Sequence, residues 1–418
     1  MPRGRGLDQR EKRKRGAAMK RRDFLVAAAA ASASPWLSKL AEAEPRNAVI
    51  PRNYRNLLIL VELKGGNDGL NTVIPYADPT YRALRKNIGI QREQMIPLNE
   101  RTALHPSLQT LMPLWRDQQL AIIQGVGYDP PNLSHFRSME IWDTASHSHE
   151  YLRKGWLTRA FEAVAVPSTF AASGMVIGSA EMGPFTRSAP VVRSSHSAMP
   201  VLPRERNAER KPIFKVESPV VMVAGRLWPA PNGVAGSGED RLKTTFAPGA
   251  LGASIRTAMW KLAACGLPQG RLDTGLGVAV IRLTLNGFDT HQNQPGQHAA
   301  LLKQLADGLV SMRLALIELG RWDSALVMTY AEFGRRPREN ESNGTDHGTV
   351  AAHFVMGARV RGGLYGVAPE LGRLDGNGNL PLGVDFRRIY ATVLGPWWGL
   401  DAKTTLGQRF EPLPLLRI

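Results

Sequence analysis

Short apolar runs alternate with glycine-rich or charged loops along most of the chain. "NLLILVE" (Asn56 to Glu62), "LAIIQGVG" (Leu120 to Gly127), Val278 to Leu285 and Ala325 to Tyr330 are continuous apolar stretches of strand length. Runs of that kind, bounded by turn residues, predict strands buried on both faces of a sheet. A further run, His353 to Met356, predicts one more. Between the third and fourth runs, Leu302, Leu305, Leu309, Met312, Leu316 and Leu319 recur at helical spacing and stop at Gly320. Strand, long helix, strand is the pattern of a parallel crossover. A second helix is expected to begin near Ser134, and an amphipathic one to run from Asp385 to Leu394, where Gly395-Pro396 ends it. Residues 200–247 are rich in Pro, Gly, Arg and Lys without periodicity, which predicts an irregular insertion rather than a second domain. The fold class that follows is α/β, a central mostly parallel sheet flanked by helices.

Length and composition agree with one such domain from residue 44 to 418, since 43% of the 418 residues are hydrophobic. The net charge of +17 suggests nucleic acid at first sight, but ten of the 53 basic residues lie in the first 22 positions. The remaining basic patches, such as Arg204 to Lys211, carry no interleaved aromatics, so no nucleic-acid partner is expected. Cys265 is the only cysteine, which excludes an intramolecular disulfide and a cysteine metal cluster.

The N-terminal charge has its own reading. Arg21 and Arg22 precede Asp23-Phe24-Leu25 and a weakly apolar alanine stretch, and Ala41-Glu42-Ala43 offers a small-x-small cleavage site. Residues 1–43 are therefore expected to be a twin-arginine signal peptide with a basic leader, with Met19 as an alternative start. The partner implied is the twin-arginine translocase, the destination periplasmic or otherwise extracytoplasmic, and no span is expected in the mature chain.

Polar residues gather where the predicted strands end, which is where open α/β sheets place their chemistry. Asp68 follows the first strand in "LKGGNDG", Ser134 follows the second, Asp289 and His291 the third, and Glu332 with Asp346 and His347 the fourth. Each has an ordinary explanation alone: a turn aspartate, a helix cap, a surface histidine. Together they predict a metal or phosphate site. Carboxylates and imidazoles suit zinc, manganese, magnesium or calcium. His135 is expected to bind substrate in support of the site, or else to pack on Phe136, and Arg335 to bind an anionic group of the substrate, or else to solvate its loop.

"LKGGNDGLNTVIPY", "ALHPSL", "SHF", "GWLTRA", "FDTHQNQ", "EFGRRPREN", "GTDHG" and "VRGGLYG" together resemble the exported bacterial family called domain of unknown function 1501. That family in turn is similar to the alkaline phosphatase-like superfamily of phosphatases and sulfatases. The resemblance implies an alkaline phosphatase-like fold with one or two metals at the carboxyl edge of the sheet. Asp68 then takes the place of a first metal ligand, Ser134 that of the nucleophile, and Asp289 and His291 that of an Asp/His pair. The spacing D-x-H departs from the usual D-x-x-x-H. Two alignments of the last block compete: Asp346-His347-Gly348 as the superfamily's DHG, or Glu332 in the acid position with His347 as the final histidine. The second leaves Phe333 where a ligand histidine is usual. The function implied is a metal-dependent hydrolase of phosphate or sulfate esters acting on an anionic small molecule or polymer; the alternative is a non-catalytic envelope binding or scaffold protein.

Overall fold

The computed structural model describes residues 52–187, 221–224, 242–264 and 277–417. The expected signal peptide, most of the 200–247 insertion and Cys265 lie outside these residues. Among the described residues nine strands make the main sheet: β1 (Leu57–Lys64), β2 (Leu120–Gly127), β3 (Ala172–Ile177), β4 (Val221–Ala224), β5 (Val278–Asn286), β6 (Ala325–Tyr330), β7 (Ala351–Met356), β8 (Gly363–Gly366) and β9 (Val384–Asp385). Their order is β8-β2-β7-β6-β1-β5-β3-β4, with β9 also paired to β2. The central block β6-β1-β5-β3 is parallel throughout, and β7 runs antiparallel between β6 and β2.

β5 and β6 are parallel as the crossover pattern requires, yet they are not neighbours. β1 lies between them, with Leu58 opposite both Val280 and Leu326. A local strand–helix–strand pattern fixes direction but not adjacency, so the expectation was right about one and silent on the other.

Alternation along β1 explains the layers. Leu58 and Leu60 face one core, with Trp142, Trp156, Tyr390 and Trp398, while Leu57, Ile59, Val61 and Leu63 face the other, with Leu251, Leu305 and Leu309. Successive strand side chains point to opposite faces, so a strand buried on both sides must be apolar at every position. The first core is covered by α1 (His135–Thr144), α2 (Trp156–Ala163) and α4 (Arg387–Thr392), which continues into a π-helical turn at Val393–Trp397. The second is covered by the helix Gly249–Ala264 and by α3 (Gln294–Glu318), whose Leu302, Leu305, Leu309, Met312 and Leu316 are buried as their spacing predicts. No helix among the described residues is long and apolar enough to cross a membrane.

Glu62 interrupts the apolar run of β1 and is fully buried. Its Oε2 accepts hydrogen bonds from Arg282 (2.6 Å) and Thr284 (2.8 Å) on the neighbouring β5, and Arg282 also donates to the Tyr330 hydroxyl on β6. One charge on β1 is thus met by a guanidinium on the next strand, which is what burial of an ion demands.

Candidate metal centre

The turn after β1 sets the floor of the site. Gly65 and Gly66 have φ of +117° and +82°. A Cβ at Gly65 would stand 2.3 Å from the Asp289 nitrogen, and one at Gly66 would stand 2.6 Å from the Phe333 ring. Glycine is required at both, because any side chain would push the turn away from the loops that follow β5 and β6.

Those loops bring Asp289, His291 and His347 together, and the start of α1 adds His135. The carboxylate of Asp289 is the hub: Oδ1 lies 3.0 Å from His291 Nε2 and 3.2 Å from His347 Nε2, and Oδ2 lies 3.4 Å from His135 Nε2. The Nε2 atoms of His291 and His347 are 2.9 Å apart. His135, Asp289 and His347 each present one ligand atom within 4.8 Å of the others.

The opposite ring nitrogens show which way these imidazoles are set. His347 Nδ1 is 2.9 Å from the Leu133 carbonyl and His135 Nδ1 is 2.9 Å from Glu332 Oε1, while His291 Nδ1 faces Asp346 at 3.5 Å. A carbonyl or carboxylate can only accept, so Nδ1 is the donor in His347 and His135, and in the neutral form of either ring the Nε2 lone pair turns inward. Two lone pairs on the Nε2 atoms of His291 and His347, 2.9 Å apart, would repel unless a proton or a cation lay between them. That is the arrangement of ring nitrogens waiting on an electrophile, and the residues fit a metal ion.

Protonation is divided within the cluster. The hydrogen bond to Glu332 pushes the His135 imidazole up from its usual value, against burial, which pulls it down. Burial pushes His347 down, outweighing the Leu133 carbonyl and Asp289. Burial pushes the Asp289 carboxyl up, but Arg335 and the imidazoles of His347 and His135 beside it outweigh burial and hold it at about 2.

Several expectations for single residues are corrected here. Asp68 is not presented to the cluster. Its carboxylate is wholly buried, with Oδ1 accepting from the Leu70 and Asn71 amides as the cap of a short helix, and Oδ2 paired with Arg85 Nη1 and Gln294 Nε2. Glu332 stands behind the ligand atoms rather than among them: Oε1 accepts from Gly65 N (2.9 Å) and from His135, and its backbone carbonyl takes Trp142 Nε1 (3.0 Å). Asp346 likewise backs His291. Arg335 does not solvate its loop. It is buried, and its guanidinium donates to the carbonyls of Gly65, Gly66, Phe288 and Thr345 and to Asp289 (2.6 Å), tying the three loops together. The segment between β6 and β7 is also more ordered than its composition suggests, because Gly334–Arg335 pairs antiparallel with His347–Gly348 and so delivers His347 to the cluster. Phe333 packs its ring 4.4 Å from that of His347 and 4.9 Å from that of His135.

Ser134 sits at the N-terminus of the ten-residue α1 without making a side-chain cap. Its hydroxyl is exposed, and its two chain neighbours are both part of the cluster, Leu133 through its carbonyl and His135 through its ring. The first-turn amides of α1 therefore lack a side-chain acceptor at the point nearest the imidazoles.

The C-terminal part of this architecture has relatives. Residues 239–407 match the family model described as Protein of unknown function (DUF1501). The match takes in Asp289, His291, Glu332, Arg335, Asp346 and His347, and leaves Asp68, Ser134 and His135 outside it. No curated protein matches the chain. Among solved structures, one titled "Crystal structure of Ps i-CgsB in complex with k-i-k-neocarrahexaose" aligns with 85% of this chain and 72% of its own, at 11% identity and a TM-score of 0.41.

Proposed function

We propose that the protein is a metal-dependent hydrolase of phosphate or sulfate esters, with His135, Asp289, His291 and His347 holding the metal and Ser134 as nucleophile. What supports this reading is the convergence of three Nε2 atoms on one carboxylate, with Ser134 at a helix N-terminus between Leu133 and His135, both of which contact the cluster. Three imidazoles and one carboxylate favour zinc or manganese over the oxygen-seeking magnesium and calcium. A bound ion of that kind lowers the pKa of a nearby hydroxyl and offsets negative charge on transferring oxygens. The chain's own share is positional. Glu332, Asp346 and the Leu133 carbonyl fix the imidazole orientations, and the uncapped amides of α1 offer donors to an anionic ester oxygen. Ser134 Oγ gives up its proton to solvent and bonds to phosphorus or sulfur while the bond from that atom to the alcohol oxygen breaks and the alcohol leaves as it takes up a proton; water then cleaves the seryl ester, releasing phosphate or sulfate and returning a proton to Oγ.

The test is metal analysis of the purified protein together with a panel of phosphate and sulfate mono- and diesters, with zinc and manganese supplied in turn. Turnover that needs the metal supports the proposal. Stoichiometric metal without turnover on any ester favours a binding or scaffold protein, the reading that the packing of Phe333 against two of the imidazoles supports.

Export through the twin-arginine translocase belongs to the same proposal, because that route carries folded proteins and lets a metal be acquired first. Replacing Arg21 and Arg22 together by Lys is expected to hold full-length precursor in the cytoplasm, read by fractionation and immunoblot; unchanged export of that variant would refute it.

A further inference from the structure

α1 carries Ser134 at its N-terminus and His135 in its first turn, and it is seated through residues further along the helix. Ser138 and Trp142 both donate to the Glu332 carbonyl, and Met139, Ile141 and Trp142 enter the core. The Glu332 side chain in turn accepts from His135 at 2.9 Å. How α1 sits on the sheet therefore sets where His135 meets Asp289 and His347.

Asp143, near the C-terminal end of the same helix, is half-buried, and its Oδ1 is closed off from solvent with no hydrogen-bond partner among the described residues. The charged and titratable groups that act on it come from five elements: Glu62 and Lys64 on β1, Arg282 on β5, Tyr330 on β6, Tyr390 on α4, and Glu181 in the loop after β3. Both cations are committed elsewhere. Arg282 donates to Glu62, to the Tyr330 hydroxyl and to the Glu181 carbonyl, and Lys64 pairs with the Glu181 carboxylate at 2.8 Å. Burial pushes both tyrosine hydroxyls well up, so neither is charged at neutral pH. One guanidinium thus matches one interior carboxylate, Glu62, and no cation is left to match a second. Burial pushes the Asp143 carboxyl up to about 8, against the pull of Arg282 and with the help of Glu62.

We propose that Asp143 is a protonation latch for α1: the neutral carboxyl lets the helix seat, and its ionisation puts an unmatched negative charge beside Glu62 that loosens the helix, and His135 with it, from the sheet. An interior charge without a partner is strongly unfavourable, and moving α1 is the way to bring this one to water. The latch opens on the alkaline side, and it acts whether or not the histidine cluster holds a metal.

Linkage fixes the sign. An unfolded aspartate titrates at about 3.9, so between that value and the folded one the native chain keeps a proton that the unfolded chain has lost, and stability falls as pH rises through this window. Above the folded value the loss is complete.

Urea unfolding of the full chain, from about pH 5 to about pH 9, should show this fall in the parent relative to Asp143→Asn and Asp143→Leu, which cannot ionise. Against either variant, the parent's unfolding equilibrium constant should rise by up to about tenfold per pH unit and level off beyond about pH 8. Two variants guard against the failure of either one to fold. Hydrogen exchange over residues 134–144, corrected for its intrinsic pH dependence, should lose protection in the parent between about pH 6 and about pH 9 and keep it in the variants. Parallel stability profiles in parent and variants would overturn the latch, and so would α1 protection that stays unchanged across that range in the parent.

Discussion

Ser134→Ala is expected to keep its metal and lose ester hydrolysis by roughly 10³-fold or more, while His347→Ala loses the metal and the activity together. The size of the first effect follows from removing the atom that forms the covalent bond, a loss that binding alone does not restore. Its specificity follows from the absence of a side-chain cap at Ser134. Alanine there removes no helix hydrogen bond, so stability should change by no more than about 0.5 kcal/mol. The second effect follows from geometry, because His347 Nε2 is within 3.2 Å of both His291 Nε2 and Asp289 Oδ1. Between these extremes stands Glu332→Gln, which keeps the shape but weakens the acceptor behind His135; metal affinity should fall about 10- to 100-fold. Inductively coupled plasma analysis for metal, paired with turnover on the ester that the parent cleaves best, separates the three outcomes. Metal-dependent turnover that survives Ser134→Ala would remove serine from the chemistry, and metal retained in full by His347→Ala would remove the cluster as its site.

Legibility in the sequence tracked how local the determinant was. β1, β2, β5 and β6 were visible as apolar runs because a strand buried on both faces needs no partner to explain its composition, and α3 was visible in its leucine spacing. Asp289, His291 and His347 were marked by their position just beyond such runs, and the structure does bring them together. His135 was placed beside the site but not in it, since nothing local distinguishes a histidine at a helix start from one packing on its neighbour. The partner of Asp68 was the harder problem. Arg85 lies in a short helix, "PTYRAL" and the residue after it, with no acidic neighbour to betray its role, and Gln294 reaches Asp68 across 226 positions. Pairing of that kind depends on how the loops stack in space. The carbonyl of Leu133, which sets His347, carries no sequence signal at all.

The strongest stability effect should come from Asp68→Asn, with a loss of about 3–5 kcal/mol and no loss of metal. Asparagine retains an acceptor for the Leu70 and Asn71 amides and is a good helix cap, so the short helix after β1 should persist. What changes is Oδ2, where an amide group would face the donors of Arg85 and Gln294, leaving a guanidinium with its charge unmatched in the interior. Breaking a buried pair from one side costs about that much, whereas replacing both partners with apolar groups of similar size is often neutral. The double variant Asp68→Leu, Arg85→Met should accordingly recover part of the loss, although it forfeits the cap. The pH dependence has a definite sign. Burial pushes the Asp68 carboxyl up, but Arg85 outweighs it and holds the folded-state value below the ordinary one. The stabilisation is therefore complete above the unfolded value of about 3.9 and is lost as pH falls through the lower folded value. Urea unfolding of parent and Asp68→Asn should show the full gap at pH 7 and a narrowing gap below about pH 4. If Asp68→Asn instead leaves stability intact and strips the metal, the aspartate is a ligand after all and its pairing with Arg85 is secondary.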